Sequence, residues 1–173
     1  MKQFRFEMED ILNKELVLTS RSLSDTKNIA KMLAKLLKKN ASENIFLMGD
    51  LGAGKTFLTN CLVKELGIKD FANSPSFKLI NEYDAGDFKI FHFDLYRLDD
   101  VSEILYLGWD EYLNSGNLCI VEWAEKAKEI WPKNRIEISL EYFFDGIADD
   151  EIDLKKLKNK DFSQRIIKIK KVE

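Results

Sequence analysis

Within eight residues, Gly49-Asp50-Leu51-Gly52-Ala53-Gly54-Lys55-Thr56, the chain sets three glycines, a lysine and a hydroxyl in the order G-x-x-x-x-G-K-T. Those residue types at that spacing suit the holding of a chain of phosphates. Glycines let successive backbone N–H groups turn to one side, and a helix opening at Lys55 aims its positive end at the same point. Lys55 carries a point charge to the outer phosphates. The Thr56 hydroxyl is a hard oxygen donor of the kind that enters a Mg2+ shell. Gly49, Asp50, Leu51, Gly52, Ala53, Gly54, Lys55 and Thr56 are therefore expected to bind a nucleoside triphosphate.

Holding a triphosphate is one task and cleaving it is another. Nucleotide hydrolases place a carboxylate at the end of a neighbouring strand to orient the metal or its water. Glu122 follows the apolar run Leu118–Val121, and Asp94 closes a strand whose other face is aromatic. With Thr56 the two acids form a candidate metal set, since like charges that close need a cation between them. Ser74 and Ser76 flank Pro75 in the position of a loop that senses a terminal phosphate. His92, the single histidine, shares a strand face with Asp94 and is read as structural. Trp123 follows Glu122 and is a candidate to pack near the nucleotide.

The elements that must position these groups are legible in outline. Ile45 to Met48 form a short apolar run, as a strand buried on both faces does. Phe57, Leu58, Cys61, Leu62 and Leu66 recur at helical spacing, and Gly67 stops that helix. Upstream, Glu15–Ser20 reads as a strand. Ser22 begins a helix with Ile29, Met32, Leu33, Leu36 and Leu37 on one face. Downstream, Phe77–Asp84 and Phe88–Tyr96 form a hairpin through Ala85-Gly86-Asp87. Residues 99–113 read as helix broken near Gly108, and Trp123–Trp131 as a short helix. Arg135–Phe143, Asp150–Leu154 and Arg165–Lys170 alternate as strands. The expected fold is α/β: a three-layer sandwich of the P-loop NTPase kind, its mixed sheet having a parallel core and antiparallel hairpins. One domain is expected over residues 1–173, with residues 1–13 as a peripheral extension.

Composition narrows the classes. At 173 residues and 45% apolar content the chain suits one globular domain, and no apolar run reaches the length of a membrane span. The N-terminus lacks the continuous apolar stretch of a secretory signal. Cys61 and Cys119 are too few, with one histidine, to build a structural zinc site, and read as reduced buried thiols. A net charge of −3 argues against a dedicated nucleic-acid binder, although residues 155–173 hold eight Lys/Arg against two Asp/Glu. That tail reads first as the protected edge of a last strand.

The segments GDLGAGKT, SPSFKLINEY, HFDLYRL and CIVEW, in this order and spacing, resemble the bacterial TsaE family over about residues 18–145. The resemblance implies a cytoplasmic, Mg2+-dependent ATPase that serves threonylcarbamoyladenosine formation in tRNA. It implies TsaD and TsaB as protein partners and tRNA as an indirect one. It assigns Lys55 and Thr56 to phosphate and Mg2+, Glu122 to Mg2+ and Asp94 to hydrolysis or coupling. The Ser74–Phe77 loop becomes the switch, and Thr26 falls near the adenine. Where many relatives carry a Gly-Arg pair in the final hairpin, this chain has Gly146-Ile147. Three rival readings share the loop. A GTPase needs N-K-x-D, and Asn159-Lys160-Asp161-Phe162 fails at the fourth position. A small-molecule kinase needs lid arginines, and the middle of the chain offers Arg97. A nucleotide-dependent scaffold would bind without turning over.

Overall fold

A computed structural model describes residues 10–11, 14–38, 43–68, 79–143 and 164–173. Among them, seven strands form one sheet. They are β1 (Leu16–Ser20), β2 (Asn44–Met48), β3 (Ile80–Asp84), β4 (Lys89–Asp94), β5 (Leu118–Glu122), β6 (Arg135–Tyr142) and β7 (Arg165–Val172), in the order β1-β7-β6-β2-β5-β4-β3. The parallel pairs β6/β2, β2/β5 and β5/β4 make the middle. Antiparallel pairs β7/β6, β1/β7 and β3/β4 finish the two sides. Parallel strands must be buried on both faces, and the near-continuous apolar sequences of β2 and β5 meet that demand.

Helices cover both faces. Against one lie α1 (Leu23–Leu37) and α2 (Lys55–Glu65), whose Ile29, Leu33, Leu37, Leu58 and Leu62 pack on Ile45, Leu47, Ile120, Ile136 and Ile138. Against the other lie α3 (Val101–Tyr106), α4 (Trp109–Leu113) and a 3-10 helix (Ala124–Ile130), which meet Phe46, Phe91, Phe93 and Val121. The aromatic face of β4 thus turns to the second core and the His92/Asp94 face to the first layer. Local chemistry sets the helix ends. The Ser22 side chain accepts from the Asp25 N–H at 3.2 Å, and Asp100 with Glu103 forms a capping box. The break expected near Gly108 is there: with φ of 82° this residue separates α3 from α4. Residues 124–130 form a 3-10 segment kinked at Ala127.

Four expectations meet a limit or a change. The 74–77 loop, the Asp145-Gly146 turn and the Asp150–Leu154 strand lie outside the described residues. Of the N-terminal extension, Asp10 and Ile11 are helical, and Ile11 is 1% exposed within the first core. An apolar residue seated there anchors part of a segment whose sequence has no periodicity to announce it.

Candidate functional site

The loop between β2 and α2 begins at Gly49, where φ is 132° and a Cβ would collide with the Leu140 carbonyl oxygen. Only glycine lets the chain leave the central strand so close to β6. Gly54, at φ 107°, caps α2, so the helix starts at Lys55 as the sequence predicts. Leu58 N–H donates to the Gly54 carbonyl at 2.9 Å, and the Thr59 hydroxyl to Lys55 O at 3.1 Å. The first turn is therefore held from within, leaving its opening N–H groups directed out of the helix end. A cavity of about 180 Å3 lies there, lined by Leu51, Gly52, Gly54, Lys55, Thr56, Phe57 and Trp123.

Lys55 is folded back over this cavity. Its ammonium donates to the carbonyls of Gly49 and of Asp50, the latter at 3.0 Å, and lies 3.5 Å from the centroid of the Trp123 ring. Burial pulls the Lys55 pKa below its ordinary value, and the carboxylates of Glu125, Glu122, Asp94 and Asp50 oppose that shift. The Lys55 charge is thus compensated within the protein, by two loop carbonyls, nearby carboxylates and an aromatic face. Trp123 itself has φ of 56°, a left-handed conformation forced by the turn from β5 into the 3-10 helix. Its ring meets Tyr96 at a centroid distance of 5.0 Å.

The acids come from two adjacent parallel strands. Glu122 ends β5, Asp94 ends β4, and the register sets them opposite each other. Both are buried, at 1% and 4% exposure. The Thr56 hydroxyl donates to Glu122 Oε2 at 2.6 Å, and His92 Nε2 lies 2.9 Å from Glu122 Oε1. The Asp94 carboxylate accepts the Tyr96 N–H at 3.0 Å, and Lys126 fixes the following turn by donating to the carbonyls of Tyr96 and Leu98. Sequence reading left His92 among structural residues. Its strand face was visible, but its partner appears only when β4 pairs with β5.

Lys55, Thr56, Asp94, Glu122 and Trp123 are thus gathered around the loop. Thr26 lies at the start of α1, where its buried hydroxyl shares a hydrogen bond of 2.8 Å with Ser20 and joins that helix to the end of β1. Ser74 and Ser76 lie outside the described residues. Among the described residues no three His, Cys, Asp or Glu side chains assemble a ready metal cage. Mg2+ does not need one, because it takes one or two protein oxygens and completes its shell with phosphate and water. The Thr56 hydroxyl and Glu122 carboxylate, in contact at the loop, are a donor set of that type. A larger cavity, about 250 Å3, lies beside the ion-paired side chains of β6 and β7, including Glu137, Glu141 and Lys168, and shares no lining residue with the first.

The chain resembles known proteins in sequence and in fold. The family model described as "Threonylcarbamoyl adenosine biosynthesis protein TsaE" matches residues 20–145. The tRNA threonylcarbamoyladenosine biosynthesis protein TsaE of Bacillus subtilis is 40% identical over 138 residues, covering 80% of this chain and 82% of that protein. Its counterpart from Haemophilus influenzae is 38% identical over 120 residues, 69% of this chain and 75% of that one. The crystal structure of Bacillus subtilis YdiB superposes with a TM-score of 0.69 at 31% identity, over 92% of this chain and 87% of that one.

Proposed function

The chain belongs to the TsaE family, and on that premise we propose that it is a Mg2+-dependent ATPase of the tRNA threonylcarbamoyladenosine-forming machinery, working in the cytoplasm to sustain turnover of a TsaD–TsaB complex. The observation that carries this reading is the 2.6 Å contact between Thr56 and Glu122 at the mouth of a glycine loop. It supports the reading because a phosphate-loop hydroxyl and a strand-end acid in contact are oxygen donors that one small hard cation can share.

The residues divide the work. The amides opening α2 take the β- and γ-phosphate oxygens. Lys55 exchanges its hydrogen bonds to the Gly49 and Asp50 carbonyls for bonds to phosphate, so its charge moves from self-neutralisation to the substrate. Thr56 and Glu122 would hold Mg2+, which would supply neutralising charge to the phosphate oxygens. Asp94, opposite Glu122 in the strand register, is the candidate to orient the attacking water. Trp123 and Tyr96 form an apolar wall that keeps bulk water from Lys55.

The test is ATP turnover by the protein alone and with reconstituted TsaD, TsaB and substrate tRNA. Slow hydrolysis alone, accelerated by the partners and abolished by Lys55→Ala, is expected. ATP binding that alters assembly at an unchanged hydrolysis rate would replace the ATPase by a nucleotide-dependent scaffold. A phosphorylated small-molecule acceptor would replace it by a kinase.

A further inference from the structure

Three consecutive carbonyls of the phosphate loop are gripped from outside by the C-terminal hairpin. Tyr142, the last residue of β6, donates its hydroxyl to Leu51 O at 3.0 Å. Arg165, the first residue of β7, donates from Nη2 to Gly52 O at 3.1 Å and from Nε to Ala53 O at 2.8 Å. The two side chains form a unit, since the guanidinium lies 4.2 Å from the Tyr142 ring centroid. A third guanidinium donor, Nη1, bonds Gln164 O at 2.8 Å and fixes the fork in place. The register pairs Tyr142 with Arg165 across the hairpin, so both reach the loop from one point. The fit is close: a Cβ on Gly52 would stand 2.7 Å from the Tyr142 hydroxyl oxygen.

We propose that Tyr142 and Arg165 are positioning residues for nucleotide binding, which brace the phosphate loop so that its amides stay directed at the phosphates. This rests on the nucleotide-binding reading above. The physical reason is the planar trans peptide, in which a C=O and the following N–H point in opposite directions. Holding the Leu51 and Ala53 carbonyls outward turns the Gly52 and Gly54 amides inward. Holding the Gly52 carbonyl fixes the peptide whose other end, the Ala53 N–H, closes a turn onto Asp50 O at 3.1 Å. A glycine-rich loop has many other conformations open to it. Arginine suits the task better than lysine, because its flat fork serves two adjacent carbonyls in one geometry. Arg165 lies beyond the residues 20–145 that the family model matches, so this brace enlists a part of the chain that the four shared motifs do not reach.

The experiment compares wild type with Arg165→Ala, Arg165→Lys, Tyr142→Phe and Lys170→Ala. The last removes the Lys170–Glu137 ion pair, 3.0 Å long, from the same hairpin without touching the loop. Two readouts are taken: calorimetric affinity for ATP with Mg2+, and hydrogen exchange of the Gly52–Lys55 amides in nucleotide-free protein. Arg165→Ala is expected to weaken ATP at least tenfold and Tyr142→Phe several-fold, with Arg165→Lys between them and Lys170→Ala within twofold of wild type. Loop amides are expected to exchange faster in Arg165→Ala and in Tyr142→Phe and unchanged in Lys170→Ala. Unchanged loop exchange and unchanged ATP affinity in folded Arg165→Ala overturn the brace. Should that variant not fold, the same null result in Tyr142→Phe, which keeps the ring under the guanidinium, overturns it. Wild type failing to bind ATP while the exchange pattern holds overturns the nucleotide reading instead, and with it the brace's role in binding.

Discussion

The Glu122 carboxylate is held at both oxygens: His92 Nε2 lies 2.9 Å from Oε1, and the Thr56 hydroxyl lies 2.6 Å from Oε2. One contact comes from the neighbouring strand and the other from the helix that follows the phosphate loop. The carboxylate therefore has one orientation, set before any ligand arrives. His92 is fully buried, so its N–H has no water competing for it. Losing that donor leaves a buried carboxylate oxygen short of a partner, which costs about 1–3 kcal/mol. His92→Leu is expected to raise the Mg2+ concentration needed for tight ATP binding by roughly tenfold on the same scale. His92→Gln, which keeps a donor, is expected to recover part of the loss. Calorimetry with ATP over a Mg2+ series decides it. Parallel weakening with and without Mg2+ would reduce His92 to a folding role.

Lys55 on the Trp123 ring gives a spectroscopic handle. Phosphate binding draws the ammonium off the indole, so ATP is expected to change Trp123 emission. The change should be absent in Trp123→Phe, although Trp109 and Trp131 remain. Lys55→Ala should lose the change and weaken ATP by about 10–100-fold, the worth of ~1.5–3 kcal/mol for hydrogen bonds to a charged group. An ATP-induced change that survives in Trp123→Phe would show that another indole reports.

Trp109 is the keystone of the second core. It is 1% exposed, meets Phe46 and Phe93 edge-on at 6.2 and 5.3 Å, and donates its indole N–H to Ile130 O at 3.2 Å. Trp109→Ala is expected to cost about 3–5 kcal/mol by urea unfolding. Tyr106, three residues away but 89% exposed, should tolerate alanine within about 0.5 kcal/mol. Equal effects at the two positions would mean that α4 does not pack as described.

Cys119 gives the pH prediction. Burial pushes its thiol up to about 12 from an ordinary 9.0. The folded state keeps a proton that the unfolded chain releases above pH 9, so stability falls as pH rises between those values. The slope from this group is about 1.4 kcal/mol per pH unit. The difference in unfolding free energy between wild type and Cys119→Val is expected to shift against wild type from pH 8 to pH 10.5. A constant difference across that range rules the effect out.

How much of this was legible beforehand follows from the range of each interaction. The Gly49–Thr56 loop, the helix starting at Lys55 and the opposite faces of β4 depend on neighbours a few residues apart, and the sequence carries such patterns whole. So do the acids at the ends of β4 and β5. The break at Gly108 belongs with them, since a positive φ next to a helix is local chemistry. What remained hidden were the side-chain partners that lie far apart in the chain. His92 met Glu122 only through the β4/β5 pairing, Ile11 joined a core that its own segment does not foreshadow, and the Thr26 hydroxyl found Ser20 at the end of β1. Arg165 is separated from Gly52 by more than a hundred positions in the chain, and nothing in its surroundings marks it as a partner of the loop. Residue type and short spacing fixed which chemistry was available. Strand order and register decided which side chains met, because only the assembled sheet brings the residues of β4, β5, β6 and β7 to the loop that opens α2.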